Sequence, residues 1–403
     1  MLEGIQIMQG NSRSLMRRRE FLRAGSLAVG ALVVGAHDRA GAVAKIEGVE
    51  TRVISRQPEH YHGWPTVTRR RNGQLLLVCS GSREQHVCPF GRVELMVSSD
   101  EGRTWGWPQV LLDSAIDDRD AGVVETDKGS LLVTSFTSLA YEAVLEQARG
   151  KAPGSAGAWP EERLDAWMAA HNRLRAEQRR AELGQWMIRS TDGGVTWSAR
   201  YSSIVNSPHG PFVVGDGRLL YAGVELWSKP RRVGVCESVD DGQSWRWLAE
   251  IPARPGDDLA QYHELHGVAC EDGRLVVHIR NHNKENHRET LQTESSDGGK
   301  SWSVPRAIGV WGLPSFLLRL RDGRLLMTYG HRRAPFGNQA RVSPDGGRTW
   351  SEPVVISGDG IGGDLGYPST VELAEGTLLT VWYEVMGGSP RAVLRQARWR
   401  LTI

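Results

Sequence analysis

The sequence predicts an all-β chain folded as a six-bladed β-propeller with a helical insertion in its second blade. Two repeats and one interruption predict it. The first repeat is an eight-residue pattern, Ser-x-Asp-x-Gly-x-(Thr/Ser)-Trp, found five times, at residues 98–105, 190–197, 238–245, 295–302 and 343–350. The second is a polar or Pro-containing segment followed by an apolar strand, a tight turn and another apolar strand. It occurs six times, out of phase with the first. The interruption is a stretch of helical periodicity between the second and third copies of this longer repeat.

The short pattern reads as a hairpin turn. Asp supplies a side-chain acceptor for turn amides, Gly supplies positive φ, and Trp packs its ring back between strands. One Asp per turn offers too few oxygens for calcium, so the turns read as structural. The longer repeat begins with His62-Gly63-Trp64-Pro65 and continues with Asp118-Arg119-Asp120-Ala121-Gly122, Pro208-His209-Gly210-Pro211, His263-Glu264-Leu265-His266, Gly312-Leu313-Pro314-Ser315 and Gly366-Tyr367-Pro368-Ser369. Most copies stand about fifty residues apart, the size of a four-stranded blade, and radial repetition of such sheets leaves only short protected edges. The sixth blade lacks the Asp turn, so the strand near residues 49–55 is expected to complete it and close the ring.

The wide spacing contains residues 141–184, where Pro160-Glu161-Glu162 opens a segment with Leu164, Trp167, Met168 and Leu174 at helical spacing. A lid, a dimer contact and a peripheral decoration all fit such an insertion.

Ahead of the repeats, residues 1–44 read as an export signal. They hold a basic segment, Arg17-Arg18-Arg19-Glu20-Phe21-Leu22-Arg23, an apolar stretch at 24–36 and small residues Ala42-Val43-Ala44 at a cleavage point. The Arg-Arg-x-Phe-Leu-Arg order resembles a twin-arginine signal, which implies a periplasmic or secreted protein. Residues 45–403 then form the propeller. Beyond the signal there is no apolar run of membrane-spanning length, so the mature chain is not expected to insert in a bilayer. Without residues 1–44 basic and acidic residues nearly balance, which gives no argument for nucleic acid as a partner. Cys79, Cys88, Cys236 and Cys270 lack Cys-x-x-Cys spacing, so neither a zinc site nor a redox motif is indicated, and buried free thiols are expected. No cofactor or metal is called for.

In a propeller the innermost strands line the central channel, so the six segments bring their side chains to one mouth. What converges there is polar and titratable: His62, Arg83 with Glu84 and His86, Asp118, Arg119, Asp120, His209, His263, Glu264, His266, Arg280 with His282, His331 with Arg332 and Arg333, and Tyr367. Any one of these reads alone as a hydrogen-bonded structural residue. Ionisable groups repeated at one position in every blade instead mark a ligand site.

From about residue 46 to the end, the chain resembles the sialidase superfamily. The Asp turns match that family's Asp-box. His263-Glu264-Leu265 with Ile279-Arg280-Asn281 is similar to the family's pairing of a glutamate with an arginine of a carboxylate-binding triad. Leu365-Gly366-Tyr367-Pro368-Ser369 with Tyr383-Glu384 is similar to the segment holding its tyrosine nucleophile and a later glutamate. The resemblance implies an exo-sialidase-like glycoside hydrolase: arginines hold a sugar carboxylate, Tyr367 attacks the anomeric carbon, and Glu264 takes its proton.

At the first blade the family's Arg-Ile-Pro is replaced by Gly63-Trp64-Pro65. Its aspartic acid/base is replaced by Arg83-Glu84-Gln85-His86, and Arg332 or Arg333 stands for the third arginine. An acidic sugar other than sialic acid therefore fits as well as sialic acid. Glu84 and His86 join Tyr367 and Glu264 as candidate catalytic groups, and Arg83, Asp120, His209, His266, Arg280, His282 and Arg332 are the candidate substrate-binding groups. Two other classes stay open. A polysaccharide lyase or atypical glycosidase with a His/Tyr proton-transfer pair suits the many histidines, and a non-catalytic glycan-binding propeller suits the fold alone.

Overall fold

The computed structural model describes residues 44–402, so the signal reading of residues 1–44 lies, apart from Ala44, outside the described residues. Six four-stranded antiparallel sheets form the six blades of a β-propeller. Their first strands are Tyr61–Arg69, Asp117–Glu125, Phe212–Val213, Tyr262–Ala269, Ser315–Arg319 and Leu365–Glu372. Most of these residues are buried, because an inner strand is covered by its own sheet and by both neighbouring blades.

The ring closes by combining the chain's two ends. Lys45–Val53 pairs with Ala392–Thr402, from Lys45↔Thr402 to Val53↔Arg395 with one register shift between Glu47 and Glu50, and supplies the outer strand of the sixth sheet. The expected closing strand near 49–55 thus runs a few residues earlier and is longer.

All five Asp turns share one hydrogen-bond pattern. In the first, Ser98 Oγ donates to Asp100 Oδ1 at 2.8 Å and accepts from the Gly102 amide at 2.9 Å, while the Thr104 amide and hydroxyl donate to Asp100 at 2.8 and 2.6 Å. Burial acts to raise the Asp100 carboxyl, but these bonds outweigh it and hold it down to about 2. The turn also ties blades together: Trp105 Nε1 donates to Gln396 Oε1 at 2.7 Å, reaching from the first blade into the last.

The insertion in blade two holds three helices, α1 (Tyr141–Arg149), α2 (Glu161–His171) and α3 (Ala176–Ala181). Trp167 of α2 is buried among Cys88, Ile116, Tyr141 and Leu145, so the insertion packs on the loop that follows the second strand of blade one. Cys79, Cys88, Cys236 and Cys270 are buried free thiols. Among the described residues no helix is long and apolar enough to cross a membrane.

Candidate active site

A repeated irregularity of the inner strands builds the site. In blades one, two and six the pairing register slips where the inner strand leaves its neighbour, between Gly63 and Thr66, Arg119 and Gly122, and Gly366 and Ser369. The residues inside these bulges, Trp64, Asp120 and Tyr367, have φ of 54°, 44° and 52°. Non-glycine residues avoid that region, and bulges of this kind re-aim a side chain beside active sites. Blade four slips between Tyr262 and Leu265, around Glu264. At Gly366, φ is +111° and a Cβ would lie 3.2 Å from the Gly330 backbone, so glycine lets Tyr367 turn.

These devices bring Tyr367, Glu264 and Arg280 together from blades six and four. The Tyr367 hydroxyl donates to Glu264 Oε1 at 2.5 Å, and Arg280 Nη1 lies 2.5 Å from Glu264 Oε2 and 3.1 Å from the Tyr367 oxygen. Burial would raise the Glu264 carboxyl, yet the Arg280 charge and the bonds from Tyr367 and Arg280 hold it down to about 2. Burial, reinforced by the charge of Glu264, pushes the Tyr367 phenol well up. The resting pair is therefore a neutral phenol hydrogen-bonded to a carboxylate. Arg332 lies 5.4 Å over the Tyr367 ring. It donates through Nε to the Leu365 carbonyl at 2.9 Å, and its buried Nη2 has no partner among the described residues.

Asp120 stands in the same field. Its carboxyl is pushed up to about 7 by burial first, with Arg119 acting to lower it and Glu264 to raise it. A protonated carboxyl there can donate a hydrogen bond to a bound hydroxyl. Trp64 is buried under two guanidinium groups, Arg83 at 4.9 Å and Arg119 at 4.4 Å, and its indole touches both Tyr367 and His86. His86, with 46 % of its side chain exposed, bonds through Nδ1 to Asp364 Oδ1 at 2.9 Å.

Several candidates lie elsewhere or are otherwise engaged. Glu84 turns into the insertion, where Trp167 Nε1 donates to it at 2.7 Å and Arg163 pairs with it at 2.5 Å, so the structure engages its carboxylate with α2 rather than with Tyr367. Arg83 is 0 % exposed and forks onto both Asp117 oxygens at 2.6 and 3.0 Å, a strut under Trp64 rather than a substrate-binding arginine. His282 accepts from Arg280 Nε at 3.0 Å and lies tilted at 60° against His263, so it holds Arg280 from behind. His266 accepts the Leu317 amide at 2.9 Å and stacks on Phe316, and His209 bonds Thr66 Oγ1 at 3.2 Å. Burial keeps both imidazoles neutral, with His209 down at about 3. His209, His266 and Phe316 line a cavity of about 380 Å³ in the channel and form a floor beside Tyr367.

The groups not singled out from sequence are Tyr61 and Asp364. Both adjoin the repeat itself: Tyr61 directly precedes His62, and Asp364 directly precedes Leu365. Among the described residues no group of three or more His, Cys, Asp or Glu side chains is arranged to hold a metal.

Fold and site together define a sialidase-like propeller. The BNR repeat-like domain family is matched over residues 155–380, more than half of the chain, and this protein belongs to that family. No curated protein matches the chain. Among solved structures, a protein of unknown function from Dyadobacter fermentans DSM 18053 is similar at 21% identity, over 89% of this chain and 100% of that one, with a TM-score of 0.70. The Hadza microbial sialidase Hz136 is similar at 18% identity over 84% of this chain and 65% of its own, with a TM-score of 0.58. The Trypanosoma rangeli sialidase, solved with 2,3-difluorosialic acid as a covalent intermediate, gives 18% identity, coverage of 84% and 54%, and a TM-score of 0.54. At these identities the likeness is one of fold.

Proposed function

We propose that this protein is an exported glycoside hydrolase that releases a terminal acidic sugar, sialic acid or a related one, from glycans. The observation that carries the reading is the Tyr367–Glu264–Arg280 contact, made between blades six and four. A phenol is a weak nucleophile unless a base removes its proton as it attacks, and Glu264 accepts that proton at 2.5 Å. A neutral nucleophile also avoids repulsion from an anionic substrate.

Arg280, 3.1 Å from the Tyr367 oxygen, and Arg332, over the Tyr367 ring, receive the substrate carboxylate, the second with an unpartnered Nη2 among the described residues. Arginine suits this task because its planar fork matches a carboxylate. Asp120 donates to a sugar hydroxyl. Gly63 stands at the place of the family's first arginine, which favours an acidic sugar held by fewer arginines. The test is the sugar released from a panel of sialylated and uronate-containing glycans, with a Tyr367→Phe control. A free acidic sugar is expected. An unsaturated product absorbing in the ultraviolet would instead make the protein a lyase, and binding without turnover would make it a glycan-binding propeller.

A further inference from the structure

Hydrolysis also requires a proton for the leaving glycosidic oxygen, and neither member of the nucleophile pair has one to give. Glu264 is ionised and committed to Tyr367 and Arg280. Asp120, 7% exposed, lies about as deep as Tyr367 at 5% and in this reading already holds a sugar hydroxyl, while the rest of the glycan departs toward solvent. A donor at the rim that still reaches the sugar at Tyr367 meets that departing oxygen.

We propose, building on the hydrolase reading, that His86 is the general acid and base of this site and that Asp364 is its positioning residue. Asp364 Oδ1 lies 2.9 Å from His86 Nδ1 and takes the Tyr61 and Tyr383 hydroxyls at 3.0 and 3.1 Å. Tyr61 Oη is also 2.9 Å from the same Nδ1. Tyr61 has one proton and spends it on Asp364, so its oxygen is an acceptor toward the imidazole. Both partners of Nδ1 thus accept, which places the proton on Nδ1 and leaves Nε2 to the cleft, without a partner among the described residues. The ring stands edge-on to Trp64, with centroids 5.0 Å apart at 89°, and the same indole meets Tyr367 at 6.4 Å. One side chain therefore spaces the nucleophile and the imidazole.

In the first half-reaction the Tyr367 oxygen bonds to the anomeric carbon and its proton passes to Glu264. The C–O bond to the aglycone breaks, and the imidazolium proton on Nε2 moves to the departing oxygen. In the second half, neutral His86 removes a proton from water, the resulting hydroxyl bonds to the anomeric carbon, and Tyr367 leaves, recovering its proton from Glu264. Asp364 stays ionised throughout. The groups facing His86 are Asp364, which favours the imidazolium, Arg119 and Arg83, which oppose it, and the phenols of Tyr61 and Tyr383. Burial adds to the opposition, and the imidazole sits below its ordinary value.

The test has one arm that needs no substrate. In ¹⁵N-labelled protein the His86 resonances, assigned by their loss in His86→Gln, should show Nδ1 protonated across the titration and Nε2 alone exchanging its proton. Asp364→Asn should move the midpoint to lower pH. A neutral form protonated on Nε2 would overturn the proposal. The second arm compares sialyllactose with 4-nitrophenyl α-N-acetylneuraminide, whose leaving group departs without a proton. His86→Ala should lose about 100-fold or more in kcat/KM, which reports the first half-reaction alone, on the first and less than about tenfold on the second. Asp364→Asn should lower kcat on sialyllactose with little change in KM and shift the alkaline limb of the pH profile to lower pH. Equal losses on both substrates would overturn the acid role. Wild-type protein that released no sugar from these two substrates or from the uronate-containing glycans would overturn the hydrolase reading, and the acid role with it, while the imidazole geometry from the first arm would stand.

Discussion

Replacing Tyr367 by Phe separates the chemistry of the site from its architecture. The ring keeps its neighbours Trp64, His209 and Tyr383, at centroid distances of 6.4, 6.4 and 5.8 Å. What disappears is one oxygen, with the bond it donates to Glu264 and the bond it accepts from Arg280. Glu264 and Arg280 still pair with each other, so no bare charge is left behind. Loss of the charge-assisted bonds is expected to cost about 1.5–3 kcal/mol. In a chain of this size that lowers Tm by about 5 °C or less. Turnover, by contrast, should fall by about four to six orders of magnitude, the scale seen when a covalent nucleophile is removed. The assay is steady-state kcat on a sialoside beside a thermal melt of the same sample. Intact mass after exposure to 2,3-difluorosialic acid should show an adduct on wild type and none on the variant. Glu264→Gln should depress turnover strongly as well, and the double variant should be little worse than either single one, because each alone disables the same proton transfer. A Tyr367→Phe protein within about tenfold of wild-type turnover would refute the tyrosine mechanism.

Other expectations can be checked independently. Asp240→Ala removes the acceptor for Ser238, the Ser244 amide and the Ser244 hydroxyl on the rim, and should cost about 1 kcal/mol in a denaturant titration while activity per folded molecule persists. Arg83→Met leaves the fully buried Asp117 carboxylate with only the 3.7 Å pairing to Arg119 and should destabilise by about 3 kcal/mol. Burial raises both Asp118 and Asp120 to about 7, so between the unfolded carboxyl value and neutrality the native state holds more protons than the unfolded one. Their contribution is full below the unfolded value and is lost as pH rises toward 7. Asp120→Asn should accordingly flatten the decline in Tm between mildly acidic and neutral pH. Finally, residues 1–44 fused to a reporter should reach the periplasm only with Arg18 and Arg19 intact, and normal export of the double Lys variant would remove the twin-arginine reading.

The fold was legible because a propeller writes itself several times. Each Asp turn and each inner-strand segment is a separate copy of one signal, and only the closing strand had to be inferred from what the sixth blade lacked. The site was legible at Tyr367, Glu264 and Arg280, where resemblance and position in the repeat agreed. Around residues 83–86 it was not. Arg83 ends a strand and points inward to Asp117, Glu84 faces the insertion, and His86 returns to the mouth. Which way each points depends on how α2 packs against that loop, and no local pattern encodes this. The bulges are hidden for a similar reason: a register slip belongs to a pair of strands, so Trp64, Asp120 and Tyr367 look like ordinary strand residues until their partners are known.

The pairing of Lys45–Val53 with Ala392–Thr402 makes the chain topologically a circle cut at one place. The strand pairing with the greatest sequence separation among the described residues is also the one that seals the ring, and closing so long a loop carries the largest entropic cost. Five blades can assemble as synthesis proceeds, but the sixth sheet is complete only after the final strand has emerged. Tyr367 and Asp364 belong to that last blade, and Tyr61 and His86 to the first. The site is therefore assembled across the seam, so a shortened C-terminal strand should abolish the nucleophile's setting even though every residue named in the mechanism is still present.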